Sequence, residues 1–331
     1  MPLMDILQFI AGLVLLVFGA WVLVSGGSRV AAMLGIPPVV VGLTVVAFGT
    51  SAPELFVSIL GAVNGSTGLV LGSVVGSNVA NLGLILAVAA IIRPVLIERG
   101  LTRNEVPYMF LATIAFVVMV WDGKLSRVDS GILVAGFFVF IAWTIRNTDR
   151  GGDPESADRG PDIAVAGGRG RAMAVGIGLI ILGVACLGGG GHFIVGSAIR
   201  FAAGFGVSET LIGLTMVAIG TSLPELATTI VAAMRDEDDL ALGNIIGSNI
   251  FNLLAVAGPV GLIWGLNVEG DQNPLAHFPL PLNANQIQLL SMTFLTLMVT
   301  TMILFGRGKV GRIRGLSLLA VYILIMMVWS T

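Results

Sequence analysis

The sequence predicts an all-α polytopic membrane protein, with ten transmembrane helices arranged as two inverted-topology five-helix repeats. Three observations predict it. The 331 residues are 56% hydrophobic and only 11% charged, where a soluble protein carries roughly 25% charged residues. The apolar letters gather into ten runs, and about 20 such residues cross a hydrocarbon core. One stretch of the first half also recurs in the second at a constant offset of 171 residues. Spans and short loops use up nearly the whole chain, so no sizeable soluble domain fits. A formal net charge of −2 and a pI near 5.7 give no basic surface for nucleic acid. Cys186 is the only cysteine, which excludes an internal disulfide and a cysteine-based metal cluster.

In order, the first five spans are expected at 5–25, 38–63, 69–92, 106–121 and 130–145. The first is read as a retained helix, since Met1 to Asp5 carries an acid and no Lys or Arg, and the apolar run is too long for a signal peptide. Residues 147–170, rich in Gly, Asp, Arg and Pro, read as a linker between a first repeat, 1–146, and a second, 171–331. The second set of spans is expected at 172–199, 210–234, 240–264, 286–305 and 313–330. In the sixth span, Gly188 to Gly191 offers either a smooth surface for a moving helix or local flexibility. His192 beside it reads as a packing or interfacial residue rather than a proton relay. Asp236, Glu237, Asp238 and Asp239 read as a solvated loop, with cation attraction by their local field as the alternative. His277, in the stretch 267–285, carries no specific role. Trp121, Trp143, Trp264 and Trp329 fall near span ends and read as interfacial anchors.

Orientation follows from the bias of Lys and Arg toward cytoplasmic loops. With ten spans the loops alternate in side, and 14 of the 17 basic residues fall on one of the two sides. The other side holds only Lys124, Arg127 and Arg200. Both termini are therefore expected outside, with the 147–170 linker in the cytoplasm.

The internal repeat is the strongest signal. Positions 42–55 read GLTVVAFGTSAPEL and 213–226 read GLTMVAIGTSLPEL; 71–82 reads LGSVVGSNVANL and 242–253 reads LGNIIGSNIFNL. Polar letters match, where chance similarity of two Leu/Val-rich stretches would match apolar ones. Five spans per repeat is an odd number, so the two copies sit in opposite orientations in the bilayer. Inverted-topology repeats of this kind mark transporters, with a substrate site near the midplane.

Glu54 and Glu225 are the acids that fall deep inside apolar spans. A charge at the bilayer centre costs at least about 2.5 kcal/mol, which makes an intramembrane acid a functional-site hypothesis by default. Thr50, Ser51 and Glu54 share a helical face, as do their repeat mates Thr221, Ser222 and Glu225. Pro53 and Pro224 cannot donate to the carbonyl four residues back, so backbone oxygens around Gly49 and Thr50, and around Gly220 and Thr221, are freed. On the next helix of each repeat, Ser77 with Asn81 and Ser248 with Asn252 form i, i+4 polar pairs. Gly72, Gly76, Gly243 and Gly247 beside them read as close-packing residues. Every donor is an oxygen, which points to hard cations rather than zinc, copper or iron. Two carboxylates neutralise one Ca2+, and the neutral oxygens suit Na+; competition for shared carboxylates is the physical basis of antiport.

At these residues the sequence resembles the cation/Ca2+ exchanger superfamily, whose two alpha-repeats carry G-T-S-x-P-E and G-S-N motifs. It looks most like the bacterial calcium/sodium antiporter branch of the sodium/calcium exchangers, over essentially the whole chain. The resemblance implies alpha-repeat motifs at 42–82 and 213–253, with spans 2, 3, 7 and 8 forming an ion-binding core and spans 1 and 6 sliding across it. It implies ion ligands at Thr50, Ser51, Glu54, Ser77 and Asn81, and at Thr221, Ser222, Glu225, Ser248 and Asn252. Some sodium/calcium exchangers in this superfamily carry aspartate at one of the two positions matching Asn81 and Asn252; here both are asparagine, so the site holds at most two formal negative charges.

The expected activity is a Na+-driven antiporter that extrudes Ca2+ across a prokaryotic plasma membrane. It calls for no cofactor and no obligatory protein partner: Ca2+ and Na+ bind as substrates, and the lipid bilayer is the surroundings. In the alternative, an H+-coupled antiporter for Ca2+ or another divalent cation, protonation of the same glutamates replaces Na+ binding. A channel gains nothing from an inverted repeat with paired central acids, and no pore-loop filter sequence is visible. An intramembrane hydrolase needs a nucleophile with its base, yet neither histidine lies near the repeats and no G-x-S-x-G or H-E-x-x-H occurs.

Overall fold

The computed structural model describes residues 2–97, 104–148, 168–204, 220–267, 282–306 and 308–330. Most of the expected linker, the stretch 210–219 of the expected seventh span and His277 lie outside them. Eleven helical segments organise the described residues: α1 Pro2–Leu34, α2 Pro38–Thr50, α3 Ala52–Val63, α4 Thr67–Ile92, α5 Glu105–Val120, α6 Arg127–Thr148, α7 Gly168–Gly204, α8 Leu223–Met234, α9 Asp238–Trp264, α10 Ala284–Leu304 and α11 Arg312–Ser330. Among the described residues seven helices are long and apolar enough to cross a membrane, or eight if the bent pair α2 and α3 is one span. α5 and α8 are shorter apolar helices. Exposed side chains such as Val14, Val17, Phe138, Val139 and Leu324 give the helices the apolar outer faces of an integral membrane protein.

Packing divides the chain into two compact units, Met1–Pro53 with Ile141–Gly247, and Glu54–Phe140 with Ser248–Thr331. Each unit takes helices from both sequence repeats. Similarity along the chain and packing in space therefore cut the molecule differently.

The first unit is built on α1 against α7. Gly12, Gly19 and Gly26 recur every seven residues and face Gly190, Gly183 and Gly176 in reverse order, so the helices run antiparallel. A Cβ added at Gly19 would lie 2.8 Å from the Cβ of Cys186 and 3.0 Å from the carbonyl oxygen of Gly183. Only hydrogen in these places allows backbones to come so near, and close approach is what drives helix association in lipid. Gly190, from the glycine run singled out in the sequence, belongs to this seam. Leu16, Ala20, Leu23, Val24 and Leu187 fill the core beside it. α1 is also fastened by polar side chains. Arg200 of α7 pairs with Asp5 at 2.5 Å. Arg235 after α8 donates to Ser25 Oγ at 2.6 Å and stacks on Trp21, 5.3 Å from the ring centre. Ser28 Oγ donates to Glu237 at 2.9 Å, and Asp238 is buried. The acidic cluster thus differs from the solvated loop expected of it, because two of its members are used in packing.

In the same unit α2 packs on the first turns of α9. A Cβ on Gly243 would lie 2.7 Å from the Val39 carbonyl, and one on Gly247 2.7 Å from that of Leu43. Numbers rise together along both helices, so they run in the same direction.

The second unit holds two short antiparallel strand pairs that the sequence did not announce. β1 Val95–Leu96 pairs with β4 Lys309–Val310, and β2 Lys124–Leu125 pairs with β3 Leu266–Asn267. They tie the end of α4 to the α10–α11 connection, and the α5–α6 connection to the end of α9. Gly83 lies under Tyr322 of α11, where an added Cβ would come within 2.9 Å.

Candidate functional site

The break between α2 and α3 lies at the first group of candidate side chains. Ser51 leaves helical geometry at φ −84° and ψ 6°, and the two helices meet at a 44° bend. Pro53 carries no N–H to meet the Gly49 carbonyl, so the ladder stops where the polar residues sit. The repeat mate Ser222 takes nearly the same values, φ −87° and ψ 1°, ahead of Pro224. Gly49 and Gly220 lie under Val184 and Val195 of α7, which leaves no space for a side chain at either position.

In the first unit this brings together Thr50, Ser51, Thr221, Ser222 and Glu225, all buried. Ser51 Oγ donates to Glu225 Oε1 at 3.1 Å. Thr50 Oγ1 donates to Asn244 Oδ1 at 3.0 Å, and Asn244 Nδ2 donates to Thr229 Oγ1 at 3.2 Å. The second carboxylate oxygen of Glu225 has no hydrogen-bond partner among the described residues.

The second unit holds Glu54, Ser77, Asn81, Ser248 and Asn252, again all buried. Ser77 Oγ donates to Glu54 Oε1 at 3.2 Å. Asn81 opens a π-helical turn, Asn81–Ile85, inside α4, and its mate Asn252 opens Asn252–Val256 inside α9. Single π-turns inside α-helices occur frequently at functional sites. Asn252 Nδ2 donates to Asn78 Oδ1 at 3.1 Å, and Asn78 Nδ2 donates to the backbone oxygen of Asn249 at 3.3 Å.

All ten residues singled out from the sequence are therefore buried and polar, five in each unit. Each glutamate accepts a serine hydroxyl, and within either group the side-chain donors available to a cation are oxygens. Burying a carboxylate is unfavourable unless it is compensated, so groups of this kind call for a bound cation or a proton. The sequence reading passed over Asn78, Asn244 and Thr229. Asn78 stands inside the repeated G-S-N and could have been found from it. Asn244 faces serine at its mate position, Ser73, and repeat identity gives no signal for it.

Comparison with known proteins covers nearly the whole chain. Residues 4–146 and 175–330 match the profile of the sodium/calcium exchanger protein family. An inner membrane protein of Escherichia coli, YrbG, is 39% identical over 81% of both chains. A sodium/calcium exchanger of Methanosarcina acetivorans, MaX1, is 33% identical over 80% of this chain and 84% of its own. The solved structure of the sodium-calcium exchanger NCX_Mj, soaked with Na+ and without Ca2+, superimposes with a TM-score of 0.82 at 28% identity, covering 99% of each chain.

Proposed function

The chain belongs to the sodium/calcium exchanger family, whose members are transporters and not enzymes, and from that premise we propose that it exchanges Na+ for Ca2+, exporting Ca2+ by alternating access. Glu54 and Glu225 together carry the charge of the transported ion. Thr50, Ser51, Thr221 and Ser222, with Ser77, Asn81, Ser248 and Asn252, supply hydroxyl and amide oxygens, and the carbonyls released by Pro53 and Pro224 complete the shells. Two carboxylates balance one Ca2+. With Ca2+ released, the same carboxylates would stand uncompensated in a low-dielectric surrounding, so the return step needs another positive charge in its place, which in this reading is Na+. That requirement makes the cycle an exchange rather than a leak.

The observation that carries this reading is the burial of both repeat-mate glutamates, each holding a serine hydroxyl on one oxygen. Ten spans in two inverted repeats, with both termini outside and the 147–170 linker in the cytoplasm, form the matching topology. Antiparallel α1 and α7 support it, because these helices are repeat mates. The strand pairs support it too. In a ten-span chain the end of span 3 and the connection of spans 9 and 10 share one side, and the connection of spans 4 and 5 shares the other with the end of span 8. β1 with β4 and β2 with β3 join these pairs of segments.

H+-coupled exchange uses the same glutamates, and flux separates the two. Purified protein in Na+-loaded proteoliposomes, diluted into Na+-free buffer, should take up radioactive Ca2+, while a matched pH gradient without Na+ should drive none. Uptake driven only by the pH gradient would move the coupling to protons, and uptake in neither condition would make Ca2+ the wrong substrate.

A further inference from the structure

The two repeat-mate asparagines Asn81 and Asn252 occupy the same backbone setting, each opening a π-turn, and both are buried. Their side chains are held differently. Asn252 Nδ2 donates to Asn78 Oδ1 at 3.1 Å, while neither amide atom of Asn81 has a hydrogen-bond partner among the described residues. The orientation of the Asn78–Asn252 relay follows from chemistry, independently of how either amide is assigned. It ends on the backbone oxygen of Asn249, 3.3 Å from Asn78, and a carbonyl only accepts. Asn78 must therefore turn its NH2 to that carbonyl and its Oδ1 to Asn252. Asn252 in turn must meet that oxygen with its NH2, which leaves its own Oδ1 pointing away, without a partner among the described residues. Met292 Sδ, 3.8 Å from Asn78 Nδ2, is a weak acceptor and favours the same orientation.

We infer that Asn78 is a positioning residue that fixes the amide of Asn252 so that its oxygen, and not its NH2 group, is presented to the transported cation. A cation is ligated by an amide oxygen and repelled by an amide N–H; an asparagine free to flip would present the wrong end for part of the time. The lock makes Asn252 a ready oxygen donor without a third negative charge, and it makes the two repeat mates inequivalent although the sequence around them is symmetric. The inference rests on the proposed placement of Asn252 among the ion ligands.

The test is Ca2+ exchange kinetics of the full-length protein in proteoliposomes for Asn78→Ala, Asn252→Ala, the double variant and Asn78→Asp. Asn78→Ala is expected to raise the Ca2+ KM roughly 3- to 10-fold, the scale of one net hydrogen bond, with maximal rate within about twofold of the parent. It should add nothing further in the Asn252→Ala background, as two residues acting through one contact are non-additive. Asn78→Asp, with its carboxyl protonated against the Asn249 carbonyl, keeps both the donor to that carbonyl and the acceptor toward Asn252 Nδ2 and should hold KM at or below the parent value; it also serves if the alanine variant does not fold. An unchanged KM in Asn78→Ala, the same factor in both backgrounds, or an Asn78→Asp as impaired as the alanine would each overturn the inference. Parent-like KM in Asn252→Ala would instead overturn the ligand reading beneath it, so the two failures are distinguishable.

Discussion

A serine hydroxyl has one proton to give, and Ser51 and Ser77 each give theirs to a buried glutamate. The donated proton fixes the direction of the oxygen lone pairs, so each hydroxyl becomes an oriented acceptor as well as a support for the acid. Thr50 has the Asn244 Oδ1 at 3.0 Å and the Ala47 carbonyl at 3.3 Å as acceptors for its one proton. At this scale the central expectation is that Glu54→Gln and Glu225→Gln each abolish Ca2+ exchange while the protein stays monodisperse in detergent. The amide is nearly isosteric, so packing is kept while the charge is removed and one acceptor oxygen becomes an NH2 donor; parent-like uptake in either variant would remove the assignment. Ser51→Ala should be milder, raising the Ca2+ KM by the equivalent of about 1–3 kcal/mol, the cost of leaving a buried acceptor without its donor, as measured in the same flux assay. The candidate residues were legible because intramembrane acids are rare and these stand in a repeated motif. Asn244 was not, because its contribution is a contact between helices distant in sequence and its mate is a different residue.

Among the helices, backbone proximity decides the arrangement. Gly12, Gly19 and Gly26 repeat every seven residues, and the partners on α7 do likewise, so α1 and α7 keep their seam aligned over several turns. Gly19→Val places its branches on Cys186 and Gly183 and is expected to cost about 1–3 kcal/mol, read as a lowered Tm in detergent; an unchanged Tm would mean that the seam has slack. The glycine-rich composition announced close packing, but not which face meets which helix. The break at Ser51 was legible from Pro53. The π-turns at Asn81 and Asn252 were not, since no residue type requires them and packing on either side of α4 and α9 selects them.

For the whole molecule the governing quantity is charge moved per cycle. If three Na+ exchange for one Ca2+, one net positive charge crosses with each turnover, worth about 2.3 kcal/mol per 100 mV. Na+-driven Ca2+ uptake should then respond to a K+ diffusion potential clamped with valinomycin, and indifference to that potential would exclude this stoichiometry. With asparagine at both 81 and 252, the proposed ligand set offers two formal charges, which would match one Ca2+ but leave any third Na+ to neutral oxygens.

By itself the sequence determined that the chain lies in a membrane, that a stretch of its first half recurs in its second, and that Glu54 and Glu225 are matching acids of that repeat inside apolar runs. Hydropathy, loop charge and repeat identity are properties of residues along the chain, and they survive without a fold. Only the tertiary structure decided that the compact units interleave the two repeats, that short strand pairs tie their loops, and that Asn78 holds one asparagine of a symmetric pair. Those outcomes depend on which surfaces meet, and in lipid that is set by atomic fit rather than by any difference in apolarity.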